Sequence, residues 1–123
     1  MAAKILICDN EDVLRALVRA ALGTGGYELV EARDGDEAIS VARSERPDLI
    51  VLDMMMPGRS GLDVLAEVRG DPTLAGIKVI MLTARTQAAD REAAAKAGAD
   101  AFLAKPFSPL GLAALVEKLL ADR

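Results

Sequence analysis

Short apolar runs alternate with stretches of helical periodicity from one end of this chain to the other. The runs lie at Lys4 to Cys8, Glu28 to Ala32, Asp48 to Leu52, Lys78 to Leu82 and Ala101 to Ala104. Four of them are apolar through their centres, as strands covered on both faces of a sheet are, whereas Glu28-Leu29-Val30-Glu31 alternates as an edge strand does. Between the runs, Leu14, Leu17, Val18 and Ala21 recur at i, i+3, i+4 and i+7, and Leu112, Leu115, Val116 and Leu119 repeat that spacing, predicting two helices buried along these stripes. Helix starts are marked by a capping box at Asp34-Gly35-Asp36-Glu37, a weaker one at Ser60-Gly61-Leu62-Asp63, and a cap followed by a first-turn proline at Ser108-Pro109. The stretch from Ala88 to Ala97 offers a core almost only alanines, each worth far less than the roughly 1.5–3 kcal/mol of a buried leucine, so it is expected to be the most loosely held helix. The result is (βα) five times over: a doubly wound α/β domain with a parallel sheet and right-handed connections. Gly23-Thr24-Gly25-Gly26 follows a helix instead of a strand and lacks a lysine, so it reads as a helix stop and turn, not a phosphate loop.

Composition narrows the chemistry. At 123 residues, 52% hydrophobic and 28% charged, the chain suits one domain spanning 1–123, with its function expected inside that unit. Lys plus Arg number 15 against 19 for Asp plus Glu, a net charge of -4 with no basic block, which argues against direct nucleic-acid binding. Tyr27, Phe102 and Phe107 are too few for a base-stacking platform. Histidine is absent, which removes Ser-His-Asp and Cys-His triads and imidazole zinc sites. The one cysteine, Cys8, lies in an apolar run and reads as a core residue. No run approaches the roughly 18 residues of a membrane span and the N-terminus is too short for a signal peptide, so a cytoplasmic, membrane-free protein is expected.

In open α/β sheets, ligands bind beyond the carboxyl ends of the strands, and here those ends are polar. The first run stops at Asp9-Asn10-Glu11-Asp12, the third at Asp53, the fourth at Thr83 and the fifth at Lys105-Pro106. Carboxylates clustered in a crevice persist only when a cation or an ammonium compensates them. A hard, oxygen-binding ion suits this set, and Mg²⁺ in particular takes one or two carboxylates and fills its shell with water and phosphate oxygens. Taken singly, each residue also has a plain role. Asp9, Asn10 and Glu11 would cap the first helix, Thr83 would be a strand-end hydroxyl, Lys105 a solvated charge and Asp53 a helix-side cap.

Four segments together carry a resemblance. Lys4-Ile5-Leu6-Ile7-Cys8-Asp9-Asn10-Glu11, Asp48 to Pro57 (Asp48-Leu49-Ile50-Val51-Leu52-Asp53-Met54-Met55-Met56-Pro57), Val79-Ile80-Met81-Leu82-Thr83-Ala84, and Ala97 to Phe107 with its Lys105-Pro106 resemble, in order and spacing, the CheY-like receiver domain of two-component response regulators. The resemblance covers the whole chain and implies a flavodoxin-like fold with strand order 2-1-3-4-5. It implies that Asp53 accepts a phosphoryl group from a phosphohistidine on a sensor histidine kinase or histidine phosphotransfer protein. Mg²⁺ (or Mn²⁺) would be held by Asp9, Asn10, Asp53 and the backbone of Met55. Thr83, the backbone of Ala84 and Lys105 would bind the phosphoryl oxygens. Thr83 and Phe102 would form the switch that alters a surface for a downstream protein, in a monomer or a phosphorylation-dependent dimer. Phe102 reads equally as a half-buried strand aromatic.

One position departs from the family pattern. Two adjacent acids usually follow the first strand, yet Asp9 is followed by Asn10. An amide oxygen still coordinates, but with one negative charge fewer, and cation affinity is expected to drop by about 10–100-fold. Two readings follow: a stand-alone phosphoacceptor that is a signalling protein and not an enzyme of metabolism, or a phosphorylation-impaired module working by protein contacts. An aspartyl phosphatase is disfavoured, because Asp53-Met54-Met55 lacks the second acid of an Asp-x-Asp pattern.

Overall fold

The computed structural model describes residues 2–84 and 88–122. Its elements alternate as β1 (Lys4–Cys8), α1 (Asp12–Leu22), β2 (Glu28–Ala32), α2 (Gly35–Glu45), β3 (Leu49–Asp53), α3 (Gly61–Gly70), β4 (Lys78–Ala84), α4 (Ala88–Ala97), β5 (Ala101–Lys105) and α5 (Pro109–Ala121). The strands are parallel and ordered β2-β1-β3-β4-β5, the flavodoxin-like arrangement that the sequence predicts. The chain moves outward from β1 to β2 on one side and to β3 on the other, which opens a crevice where the order reverses.

The pleat explains why the central runs lack alternation. Leu6, Cys8, Ile50, Leu52, Val79 and Met81 point to one face, where α2, α3 and α4 pack. Ile5, Ile7, Leu49, Val51, Ile80 and Leu82 point to the other, beneath α1 and α5. Successive residues face opposite sides, so a strand covered on both faces must be apolar at every position. β2 is an edge strand, as its alternation predicts. β5 is the other edge and is half-buried throughout, although its apolar run predicts full cover. Its small residues give neighbours less to pack against.

The helix starts use the caps the sequence marks. Ser60 and Asp63 complete a reciprocal capping box on α3, Asp34 Oδ1 accepts the Glu37 N–H at 2.8 Å, and Ser108 accepts the Gly111 N–H ahead of Pro109. The Glu37 carboxylate reaches back to the N–H of Arg33, one residue before the cap. Gly23 to Gly26 form a turn after α1, and Gly26 has the left-handed φ of 75°.

On α5 the predicted stripe holds, with Leu112, Val116 and Leu119 buried and Leu115 partly so. On α1 it is rotated. The buried residues are Arg15, Val18 and Leu22, while Leu17 is 48% exposed. In this orientation Arg15 meets acceptors on three sides, at Asp9, Asp12 and Glu31. On α4, Ala94 is the one fully buried residue among those described.

Candidate functional site

The carboxyl edge of the sheet gathers four of the predicted side chains. Asp53 is the last residue of β3, Thr83 lies one residue from the end of β4, and Lys105 ends β5. Asp9 follows β1 directly, and the pairing of Cys8 with Leu52 sets it level with Asp53. Asp9, Asp53 and Thr83 are all buried. The Lys105 ammonium lies 2.9 Å from Asp53 Oδ1 and 3.5 Å from Asp9 Oδ2, spanning both acids. Lys105 is thus an ion-paired group and not a solvated charge. Its peptide bond to Pro106 is cis.

Backbone groups fix the acids. The Glu11 N–H donates to Asp9 Oδ1 at 2.9 Å, and the Met55 N–H donates to Asp53 Oδ1 at 3.4 Å. The Met54 N–H pairs with the Leu82 carbonyl at 3.0 Å, extending the β3–β4 ladder past Asp53. Helix α3 starts hard against this corner. A side-chain carbon at Gly61 would lie 2.3 Å from the Asp53 carbonyl oxygen and 2.8 Å from Met54 Cα, a space that only glycine leaves free. Ser60, not Asp53, caps α3, and Glu11 at the N-cap of α1 makes no side-chain cap bond. These observations leave Asp53 free of its plain capping role.

Burial drives the Asp53 carboxyl above its ordinary value, and the nearby Asp9 charge adds to the rise. The Lys105 ammonium and the Met55 N–H pull the other way without cancelling it. Burial alone would lower the Lys105 ammonium, but Asp53 and Asp9 more than compensate, so it is raised and stays charged. Beneath the acids, burial first, and then the charges of Asp9, Asp53, Asp34 and Glu37, push the Cys8 thiol up to about 12. Cys8 is inert core, with its S–H 3.4 Å from Met56 Sδ.

Thr83 differs from the others. Its Oγ1 is buried and has no hydrogen-bond partner among the described residues. Such a group costs about 1–3 kcal/mol when left unsatisfied.

The donor set also suits a hard cation. Two carboxylates, Asp9 and Asp53, share one corner through Lys105, with the Met55 backbone just after β3, and oxygen donors of this kind suit Mg²⁺. Asn10 follows Asp9 and is exposed, and among the described residues no group of three or more Asp, Glu, His or Cys side chains is placed to hold a metal ion.

Ala84, the other phosphoryl-side residue expected from the sequence, pairs with Lys105 across β4 and β5. Phe102 lies opposite Met81 on the half-buried edge strand, and the Arg91 guanidinium of α4 sits 5.2 Å from its ring centroid. Of the three methionines after Asp53, Met54 is core, Met56 packs on Cys8, and Met55 is 71% exposed. Two residues beside the site escape a reading of the sequence. Gly61 has only its neighbour Ser60 as a signal. Arg15 is visible only as a charge on a helix otherwise apolar nearly all round.

The comparisons agree with this geometry. Residues 5–117 match the model of the response regulator receiver domain. The phosphate regulon transcriptional regulatory protein PhoB of Escherichia coli is 38% identical over 120 residues, 98% of this chain and 52% of its own length. PhoP of Bacillus subtilis, the alkaline phosphatase synthesis transcriptional regulatory protein, is 38% identical over 98% of this chain and 49% of its own length. The chain therefore spans about half the length of these curated relatives. Among solved structures, chemotaxis response regulator CheY4 of Vibrio cholerae superposes with a TM-score of 0.90 at 31% identity, covering 97% of this chain and 99% of that one. The signal receiver domain of a histidine kinase from Syntrophus aciditrophicus gives 0.91 at 33% identity, covering 98% and 92%. With four site residues on one sheet edge and the family model spanning nearly every element, this chain belongs to the response regulator receiver domain family of two-component systems.

Proposed function

We propose that this receiver domain accepts a phosphoryl group on Asp53 from the phosphohistidine of a sensor histidine kinase or histidine phosphotransfer protein, and thereby alters a surface that binds a downstream protein. Receiver domains are signalling phosphoacceptors that interact with histidine kinases and generally bind Mg²⁺. The observation that carries the reading is the Asp53–Lys105 pair on the same sheet edge as the buried Thr83 hydroxyl, which has no partner among the described residues.

In the transfer step, an Asp53 carboxylate oxygen forms a bond to phosphorus while the phosphorus–nitrogen bond to the donor imidazole breaks, and the imidazole leaves with the bonding pair. Lys105, released from one of its carboxylate partners, pairs with a phosphoryl oxygen. Thr83 donates its hydroxyl to a second oxygen, and the Ala84 N–H is a third donor. The Lys105 ammonium and these hydroxyl and amide donors meet charge that develops on the transferred oxygens in a site already shielded from water. Asp9, Asn10, Asp53 and the Met55 carbonyl would hold the Mg²⁺ (or Mn²⁺), which when bound offsets the negative charge of the phosphoryl group. Thr83 and Phe102, on the paired strands β4 and β5, are the residues through which the change reaches the α4 face. Thr83 gains a partner there, and Phe102 is already held by Arg91 of α4.

The curated relatives are named as transcriptional regulators and are about twice the matched length, so any transcriptional role belongs to this proposal. The net charge of -4 supports an output made by protein contacts of this domain and not by direct contact with nucleic acid. No helix among the described residues is long and apolar enough to cross a membrane, which supports a place in the cytoplasm beside kinase partners. Asn10 favours the second reading, a binding module whose phosphorylation is impaired by weak cation binding.

Acetyl phosphate or beryllofluoride, added with Mg²⁺ to wild type and Asp53→Asn, separates the two. Stoichiometric modification lost in Asp53→Asn, with an altered amide spectrum at Thr83 and Phe102, is the expected result. A wild type that neither reagent modifies at saturating Mg²⁺ overturns the phosphoacceptor reading.

A further inference from the structure

Arg15 is 7% exposed, although it sits on a surface helix, and each arm of its guanidinium is engaged. Nη1 donates to the Asp9 carbonyl at 2.7 Å, and Nε donates to Glu31 Oε1 at 3.0 Å. Nη2 is paired with the Asp12 carboxylate. The other Glu31 oxygen accepts from Arg19 Nε at 2.8 Å, which fixes that carboxylate from the next turn of α1. The backbone N–H of Arg15 donates to the Glu11 carbonyl at 3.1 Å. The Arg15 side chain therefore grips the peptide carbonyl of Asp9, immediately before Asn10, while its backbone N–H to Glu11 is the first bond of the α1 ladder. The Asp9 N–H is held as well, donating to the Ala32 carbonyl of β2 at 3.2 Å.

We propose that Arg15 is a positioning residue for the divalent cation: its guanidinium holds the Asp9 carbonyl, immediately before Asn10, so that Asp9 and Asn10 meet the ion already in place. This rests on the phosphoacceptor reading of the site. Two features carry it further than a general tie between α1 and β2. The Asp9 carboxylate is steered by the same turn, since its Oδ1 takes the Glu11 N–H and leaves Oδ2 toward Lys105. And Asn10 supplies a dipole where a second charge would otherwise attract the ion, so fixed geometry matters more to binding here. Groups that orient ligands without touching the metal typically account for about 10–100-fold in affinity. A lysine at position 15 is a single point charge and lacks the planar fork needed to serve Asp9, Asp12 and Glu31 together.

The test is titration of Mg²⁺ by calorimetry and of Mn²⁺ by water proton relaxation into wild type, Arg15→Lys, Arg15→Gln and Glu31→Gln, with folding of each checked by thermal unfolding in EDTA. Arg15→Lys and Arg15→Gln are expected to weaken both ions by about 10–100-fold while remaining folded. Glu31→Gln, which leaves the Asp9 contact but removes the charge anchoring Nε, should show a smaller loss in the same direction. A folded Arg15 variant with wild-type affinity overturns the inference, even if its melting temperature has dropped. If neither Arg15 variant folds, Glu31→Gln decides: unchanged affinity refutes the role. A wild type that binds neither ion brings down the phosphoacceptor reading itself, a different outcome from equal binding by wild type and variants.

Discussion

Helices α1 and α4 flank the same acidic edge and are held in opposite ways. α1 lays Val18 and Leu22 into the core and adds a buried guanidinium bonded to a loop carbonyl and to carboxylates on its own first turn and on β2. α4 buries Ala94 alone among its described residues, and its attachments come from elsewhere. Arg69 of α3 donates to the Gly98 carbonyl just past the end of α4 at 2.9 Å, to the Ala75 and Ile77 carbonyls, and to Asp100 at 2.8 Å. Arg91 reaches from the helix to Phe102. The first helix is tied down by core side chains and a buried charge; the second offers the core only alanines, and the Arg69 contacts secure the loop that follows it instead of the helix itself. A phosphoacceptor domain needs both, since a newly added charge does useful work only where some element has two accessible positions.

The contrast is sharpest in core truncations. Leu22→Ala on α1 should lower unfolding free energy by about 2–5 kcal/mol in denaturant titration, whereas Ala94→Gly on α4 should cost about 1 kcal/mol. Equal losses would break the distinction. Next in size, Arg69→Ala removes a charged donor from three carbonyls and one carboxylate and should cost about 2 kcal/mol. Amide exchange should show the loss concentrated at α4 and the start of β5, with α1 unaffected, and uniform loosening would refute the idea of a local anchor. The smallest expected effect depends on pH and concerns Asp53, where the two sides meet. Its carboxyl lies above the ordinary 3.8, so the native state binds that proton more tightly than the unfolded chain does. Its contribution to stability therefore falls as pH rises from 3.8 through the raised value, and stays lower beyond it. Subtracting the EDTA stability curve of Asp53→Asn from that of wild type should show this downward step. A difference that grows with pH over the same window would show that Lys105 dominates instead.

Much of the architecture was legible because buried parallel strands and amphipathic helices impose different periods on a sequence, and here each run ends at a polar residue. The five strands, their order and the gathering of Asp9, Asp53, Thr83 and Lys105 follow from that pattern together with the family resemblance. The centre of the buried face on α1 was not legible. Val13, Leu14, Leu17, Val18 and Leu22 share one half of the helix, so periodicity selects a face but not its exact centre, and the contacts of Arg15 with Glu31 and the Asp9 carbonyl, which only the fold brings near, accompany a buried stripe turned toward Val18 and Leu22. The half-buried β5 escaped the apolar pattern alone, although the strand order implied by the resemblance already sets it at an edge. The ammonium spanning two acids and the Thr83 hydroxyl without a partner among the described residues are properties of distance and are invisible to spacing.

The glycine at position 61 sets a limit on how this scaffold can be rebuilt. Because α3 begins within contact distance of the Asp53 carbonyl, the backbone under Asp53 and the first turn of that helix pack directly on one another. A protein engineer converting the domain into a biosensor can exchange the cap at Ser60 for another short polar residue, or vary the exposed Met55. Position 61 is closed to every side chain, and a fluorophore or affinity handle placed there would be reporting on a displaced Asp53.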